Sequence, residues 1–152
     1  LGDTFAVCGF SGAGRERCEY FIYKDFKSRW DTDAMGRVLG ASPKHATRMG
    51  AALRHSGYRL SQIGSAYRII ILITDGKPND SGYDGRSGYA HHDVRMACEE
   101  NRRKGIYTVC ISTNENLRTD MECMFPDRRY VIVSDFDTVV RILPQLYIKI
   151  AM

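Results

Sequence analysis

The chain has 152 residues, 43% of them hydrophobic and 26% charged, with a net charge of +4. That length suits one domain able to bury about two-thirds of its unfolded surface, and the composition is ordinary for a soluble globular protein. No stretch approaches the roughly 18 uninterrupted apolar residues of a membrane span, and the basic groups Arg102-Arg103-Lys104 and Arg128-Arg129 are interleaved with acids, as on a solvated surface rather than a nucleic-acid interface.

Nothing near Leu1 reads as a signal peptide. The absence of Met at position 1 leads us to expect a true start upstream. Five cysteines (Cys8, Cys18, Cys98, Cys110 and Cys123) form no zinc-knuckle or redox spacing. Their odd number, with Cys8 and Cys110 inside apolar runs, is simplest in a reducing cytoplasm.

In chain order, Thr4 to Phe10 reads as a buried strand, Ser11-Gly12-Ala13-Gly14 as a turn, and Arg17 to Phe26 as a second strand, together a hairpin. Asp31 is placed to cap a short helix reaching about Ala41, before the break at Ser42-Pro43-Lys44. Met49, Leu53, Leu60 and Ile63 recur at helical spacing, predicting a helix from about Thr47 to Ile63 with Gly64 as its stop.

Arg68 to Thr74 is a continuous β-branched run, which predicts a central parallel strand buried on both faces. A long loop dense in Gly, Asp, Asn and Pro follows, from Asp75 to Tyr89. Further on come a helix from Asp93 to Lys104, a strand from Ile106 to Ser112 and a short helix from Leu117 to Met124. The chain closes with a strand from Tyr130 to Val133 and a helix from about Asp137 bent near Pro144. The alternation predicts an α/β fold, a mostly parallel central sheet flanked by helices with one antiparallel edge hairpin. Ligands of such sheets sit beyond the carboxyl ends of the strands, which directs attention to the loops after Phe10, Thr74 and Ser112.

Asp75 ends the most apolar strand, in Ile73-Thr74-Asp75-Gly76-Lys77-Pro78-Asn79-Asp80. A carboxylate there, with hydroxyls from neighbouring loops, suits a hard cation such as Mg²⁺; the same Asp-Gly pair also serves as an Asx-turn cap. Thr47, in His45-Ala46-Thr47-Arg48-Met49, has the same duality, since a threonine at a helix start is commonly an N-cap. His91-His92-Asp93 reads as a helix start with Asp93 near the positive end of the dipole, because adjacent side chains diverge by about 100°. Asp80, Asp84 and Asp93 invite a phosphatase-like reading around Asp75, but no nucleophile and base are spaced to support it. Gly-x-x-x-x-Gly-Lys-Ser/Thr is absent, and the nucleophile-elbow pattern fails at Ala13.

Taken together, Phe5-Ala6-Val7-Cys8-Gly9-Phe10-Ser11-Gly12, Thr47-Arg48-Met49-Gly50-Ala51-Ala52-Leu53-Arg54-His55 and Thr74-Asp75-Gly76-Lys77-Pro78-Asn79-Asp80 resemble the von Willebrand factor A (VWA) family. Tyr89 to Ala97 and Leu143-Pro144-Gln145-Leu146-Tyr147 continue the likeness. Within the family the chain looks like the NorD/CbbO group, accessory proteins for activation of nitric oxide reductase and of rubisco. The resemblance implies a Rossmann-like single domain over residues 1–152. It also implies a metal-ion-dependent adhesion site from three loops: an Asp-x-Ser-x-Ser motif, a threonine and an aspartate. Thr47 matches the second and Asp75 the third. The first motif is absent from the chain, so the first strand and its helix are expected before Leu1.

Mg²⁺ (or Mn²⁺ or Ca²⁺) is the implied ion of the intact site, and Ser11, Gly76, Lys77, Asn79 and Asp80 are the implied partner-binding residues around it. The resemblance implies a non-catalytic adaptor that recruits a target enzyme complex, of the reductase or rubisco class, to a MoxR-type AAA+ ATPase. A metal-chelatase subunit is the alternative within the fold, and a small Mg²⁺-dependent hydrolase centred on Asp75 and Asp80 is the alternative outside it.

Overall fold

A computed structural model describes residues 3–83 and 88–151. The expected α/β architecture is present. Strands β1 (Val7–Gly12) and β2 (Cys18–Lys24) pair antiparallel as a two-stranded sheet. Helices α1 (Thr32–Leu39) and α2 (Met49–Ser61) lead to β3 (Arg68–Thr74). Helix α3 (Tyr89–Arg103), β4 (Ile106–Ser112), α4 (Arg118–Met124), β5 (Tyr130–Ile132) and α5 (Phe136–Ala151) complete the chain. Strands β3, β4 and β5 form a parallel three-stranded sheet in that order, with Thr74 opposite Ser112 and Ser112 opposite Ile132. Among the described residues no helix is long and apolar enough to cross a membrane, and all five cysteines are free thiols.

The sheet corrects one expectation. Strand β3 was expected to be central and buried on both faces, but among the described residues it lies at the edge of its sheet, with Ile71 42% and Ile73 49% exposed. The central strand is β4, where only Tyr107 is exposed. A continuous β-branched run marks an apolar strand, and it does not say how many neighbours the strand has. The side chains of Ile70 and Leu72, on the opposite face of β3, do pack inward.

One core joins Met49 and Leu53 of α2 to Leu72, to Val94 and Ala97 of α3, and to Cys110, Met121 and Phe125. A smaller one beneath α5 joins Ile111, Val133 and Val139. Each fully buried aliphatic side chain contributes about 1.5–3 kcal/mol of transfer free energy. Helices α2 and α3 cross closely because two glycines of α2 leave room. A Cβ at Gly50 would collide with the Asp93 carboxylate, and one at Gly57 with the Asn101 amide. Asn101, fully buried, donates from Nδ2 to the carbonyl of Leu53 at 2.9 Å.

Local signals worked where the chain itself closes the bond. Asp31 accepts from the Ala34 amide at 2.9 Å and starts α1, as expected. Two helix starts differ. Helix α3 begins at Tyr89 after Gly88, whose φ of 62° is left-handed, so Asp93 lies in the second turn and not at the dipole. Helix α2 takes Arg48 as its N-cap, with no side-chain cap bond, and Thr47 stands outside the helix.

Candidate functional site

Three segments meet beyond the carboxyl ends of the strands: the end of β1, the approach to α2 and the loop after β3. Backbone pairs join them. Gly12 and Ala46 exchange N–H···O bonds of 2.9 and 2.8 Å, and Thr47 and Asn79 exchange bonds of 2.6 and 3.1 Å. Thr47 is thereby tied by its main chain to the loop that Asp75 opens. Its hydroxyl is spared a capping role, and among the described residues it has no hydrogen-bond partner.

Asp75 is exposed at the end of β3. The turn behind it is made by Thr74, whose Oγ1 accepts from the Gly76 amide at 3.2 Å and donates to the Gly76 carbonyl at 2.9 Å. Asn114, after β4, donates from Nδ2 to the main-chain oxygen of Asp75 at 3.2 Å and so joins the two strand ends. The Asp75 carboxylate itself has no hydrogen bond or ion pair among the described residues. A carboxylate that the fold does not use internally, held at the carboxyl end of a parallel sheet, is free to serve a ligand.

Asp80 has the opposite character. Its side chain is fully buried, and Oδ1 accepts from Nη1 of Arg48 at 2.7 Å, the Arg48 side chain being 8% exposed. The backbone amides of Gly14 (3.1 Å) and Gly82 (2.8 Å) also donate to the carboxylate. Burial alone would raise the Asp80 pKa, but the Gly82 and Gly14 amides and Arg48 outweigh it and hold the carboxyl below its usual range. The Arg48 guanidinium lies 4.8 Å above the Tyr83 ring. The Tyr83 hydroxyl donates to Oδ2 of Asp93 at 2.7 Å, and Oδ1 of Asp93 accepts from Arg54 at 2.7 Å. Burial and then the Asp93 acceptor push the Tyr83 phenol well above its ordinary pKa, so it remains a neutral donor.

Gly12 and Gly82 are required by this closeness. A Cβ at Gly12 would stand 2.9 Å from both Arg48 Cβ and Asp80 Oδ2, and one at Gly82 would stand 2.6 Å from Arg48 Nη1. Ser11 is also buried, and its hydroxyl accepts from the His45 amide at 2.9 Å.

The structure therefore separates the residues singled out by sequence. Thr47 and Asp75 offer side-chain oxygen atoms without a partner among the described residues, Gly76, Lys77 and Asn79 form the accessible loop, and Ser11 and Asp80 are occupied inside the scaffold. His91 pairs with Asp120 at 2.6 Å across α3 and α4. Asp84 lies outside the described residues. Sequence reasoning missed Arg48, Tyr83 and Asn114 as organisers of the site. An arginine just ahead of a helix and an aspartate 32 positions later carry no local signal of pairing.

A hard divalent cation prefers oxygen ligands and retains waters. The Thr47 hydroxyl and the Asp75 carboxylate fit that preference in kind. Among the described residues no group of three or more His, Cys, Asp or Glu side chains gathers to hold a metal, so these two would share an ion with water and with donors from elsewhere.

No family model matches the chain, and no solved structure matches it. It is 35% identical over 148 residues to an uncharacterized protein of Pseudomonas aeruginosa, covering 97% of this chain and 24% of that protein. It is 33% identical over 136 residues to the protein NorD of Stutzerimonas stutzeri, covering 89% of this chain and 22% of that one. The NorD protein of Brucella suis is 29% identical over 151 residues, covering 99% of this chain and 24% of its own length. The chain spans about a quarter of the length of these relatives.

Proposed function

We propose that this NorD-like chain is a non-catalytic protein-binding segment of VWA type, in which Thr47 and Asp75 belong to a Mg²⁺-dependent adhesion site. The observation that carries the reading is the Asp75 carboxylate at the carboxyl end of the parallel sheet, without a hydrogen bond or ion pair among the described residues, tied through the Thr47–Asn79 bridge to the Thr47 hydroxyl, which has no partner among them either. Such an ion, bound by one carboxylate and neutral hydroxyls, keeps enough positive charge to accept a carboxylate from a partner protein. The chain's own residues do the positioning. Thr74 and Asn114 fix the backbone of Asp75, and the Arg48–Asp80 pair fixes the loop that faces Thr47. Gly76, Lys77 and Asn79 form the accessible rim that a partner would meet.

The likeness to NorD proteins suits an accessory role. By the VWA resemblance, the partner set is a MoxR-type AAA+ ATPase and a target enzyme of the reductase or rubisco class, in the cytoplasm. Pull-down with the natural full-length protein, with and without Mg²⁺, tests this. The ATPase and target should be retained only with the ion and lost in Asp75→Ala. Retention without Mg²⁺, or Asp75-dependent phosphatase turnover by the purified protein, would contradict it.

A further inference from the structure

We infer that Tyr83 is a positioning residue for the proposed ion site: its phenol takes the place of a missing N-cap on α2 and holds the start of that helix, with Thr47, against the Asp75 loop. The inference rests on the adhesion-site reading and concerns what sets the geometry of that site.

The need for such a group lies in the sequence of α2. The amides of a helix's first turn have no partner within the helix, and an uncapped end frays. Arg48 occupies the N-cap position without a side-chain cap bond, and the first turn of α2 holds no acidic residue. The bond from the Ala52 amide to the Arg48 carbonyl is long, at 3.4 Å. Thr47 lies directly before this end.

The missing cap arrives from two other elements. The phenol oxygen of Tyr83, on the loop after β3, accepts from the Gly50 amide, and its own proton is given to Oδ2 of Asp93 on α3 at 2.7 Å. The Asp93 carboxylate itself lies against the first turn of α2, where a Cβ on Gly50 would collide with it. A carboxylate in that place meets the positive end of the α2 dipole.

Three loop residues therefore meet the start of α2 in step. Asn79 bonds to Thr47, Asp80 to Arg48 and Tyr83 to Gly50. The first two contacts lie ahead of the helix, and the third grips the helix itself. Tyr83 is 8% exposed, and its ring lies 4.8 Å from the Arg48 guanidinium, so the contact is held in place. Without the hydroxyl, the helix start can shift and carry Thr47 with it. An ion shared by Thr47 and Asp75 tolerates little such movement, because Mg²⁺ demands near-octahedral geometry at about 2.0–2.1 Å.

Magnesium calorimetry on the natural full-length protein tests this, with Tyr83→Phe, Gly57→Ala and Asp75→Ala. Tyr83→Phe keeps the ring beside Arg48 and removes the hydroxyl alone, so the fold tolerates it. It should weaken Mg²⁺ binding about fivefold, the scale of one hydrogen bond, and hydrogen exchange should quicken at residues 47–53. Gly57→Ala strains the same helix two turns away and should leave Mg²⁺ affinity unchanged, which separates positioning from loss of stability. Parent-like affinity or parent-like exchange in Tyr83→Phe, or an equal loss of affinity in Gly57→Ala, would overturn the role of Tyr83. Asp75→Ala tells the two claims apart. If it binds Mg²⁺ as the parent does, the adhesion-site reading falls and this inference with it; if it loses affinity while Tyr83→Phe does not, only this inference falls.

Discussion

Nη1 of Arg48 stands 2.7 Å from Oδ1 of Asp80, with 8% and 0% of the two side chains exposed. The pair joins the residue before α2 to the loop after β3, and the Gly14 amide brings the end of the hairpin to the same carboxylate. The charges of this pair serve the scaffold, while those of Asp75 face outward.

Breaking the pair strands a buried charge. Arg48→Met should lower unfolding free energy by about 3–5 kcal/mol, read from urea denaturation. The double variant Arg48→Met/Asp80→Leu should recover part of that loss, because neither charge then remains. A double-mutant cycle gives the coupling directly. Recovery should be incomplete, since the Gly14 and Gly82 amides also lose their acceptor.

The same carboxylate sets an acid limit. Its folded pKa lies below the ordinary value, so its stabilisation is complete above the unfolded value of about 3.9 and is lost as pH falls through the folded one. Urea midpoints should therefore drop more steeply below about pH 4 in the parent than in Asp80→Asn, which has no proton to gain there. Parallel curves would contradict this.

The α2–α3 crossing has no room for another methyl group. Gly57→Ala should cost about 1–3 kcal/mol through overpacking against Asn101, even though alanine favours helix. Gly64→Ala, where a Cβ meets nothing, should show no packing penalty. Thermal unfolding of the two variants separates these effects.

The thiols should divide by environment. Cys18 and Cys123 are exposed, whereas Cys110 is fully buried and Cys98 partly so. Burial pushes both Cys98 and Cys110 up to about 12. At about pH 7.5, iodoacetamide should modify Cys18 and Cys123 in the native protein and reach Cys98 and Cys110 only after denaturation. Peptide mapping by mass spectrometry reads the pattern.

Much of this architecture was legible. The limits of β3 and β4 follow from uninterrupted apolar runs, and the Asp31 cap follows from a bond closed within four residues. The edge position of β3 was not legible, because neighbour number is set by chain segments far away in sequence. Thr47 and Asp75 were singled out by motif, and the structure adds that their side-chain oxygen atoms have no hydrogen-bond partner among the described residues. The Arg48–Asp80–Tyr83–Asp93 network was hidden, because each link is long in sequence or lies between residues that also suit a solvent-exposed helix.

The exposed edge has a consequence for the chain alone. Ile71 and Ile73 lie on one face of a strand that, among the described residues, is an edge, so it presents both apolar surface and an open backbone edge. Expressed by itself, the 152-residue chain should self-associate, and Ile73→Lys should shift it toward monomer. Light scattering after size exclusion measures this.

The central claim concerns Asp75, and magnesium calorimetry on the natural full-length protein addresses it most directly. Mg²⁺ should bind the parent, and Asp75→Ala should weaken that binding at least tenfold, roughly the loss of one charged ligand. Arg48→Met should change affinity less than Asp75→Ala. Unchanged Mg²⁺ affinity in Asp75→Ala would contradict the account.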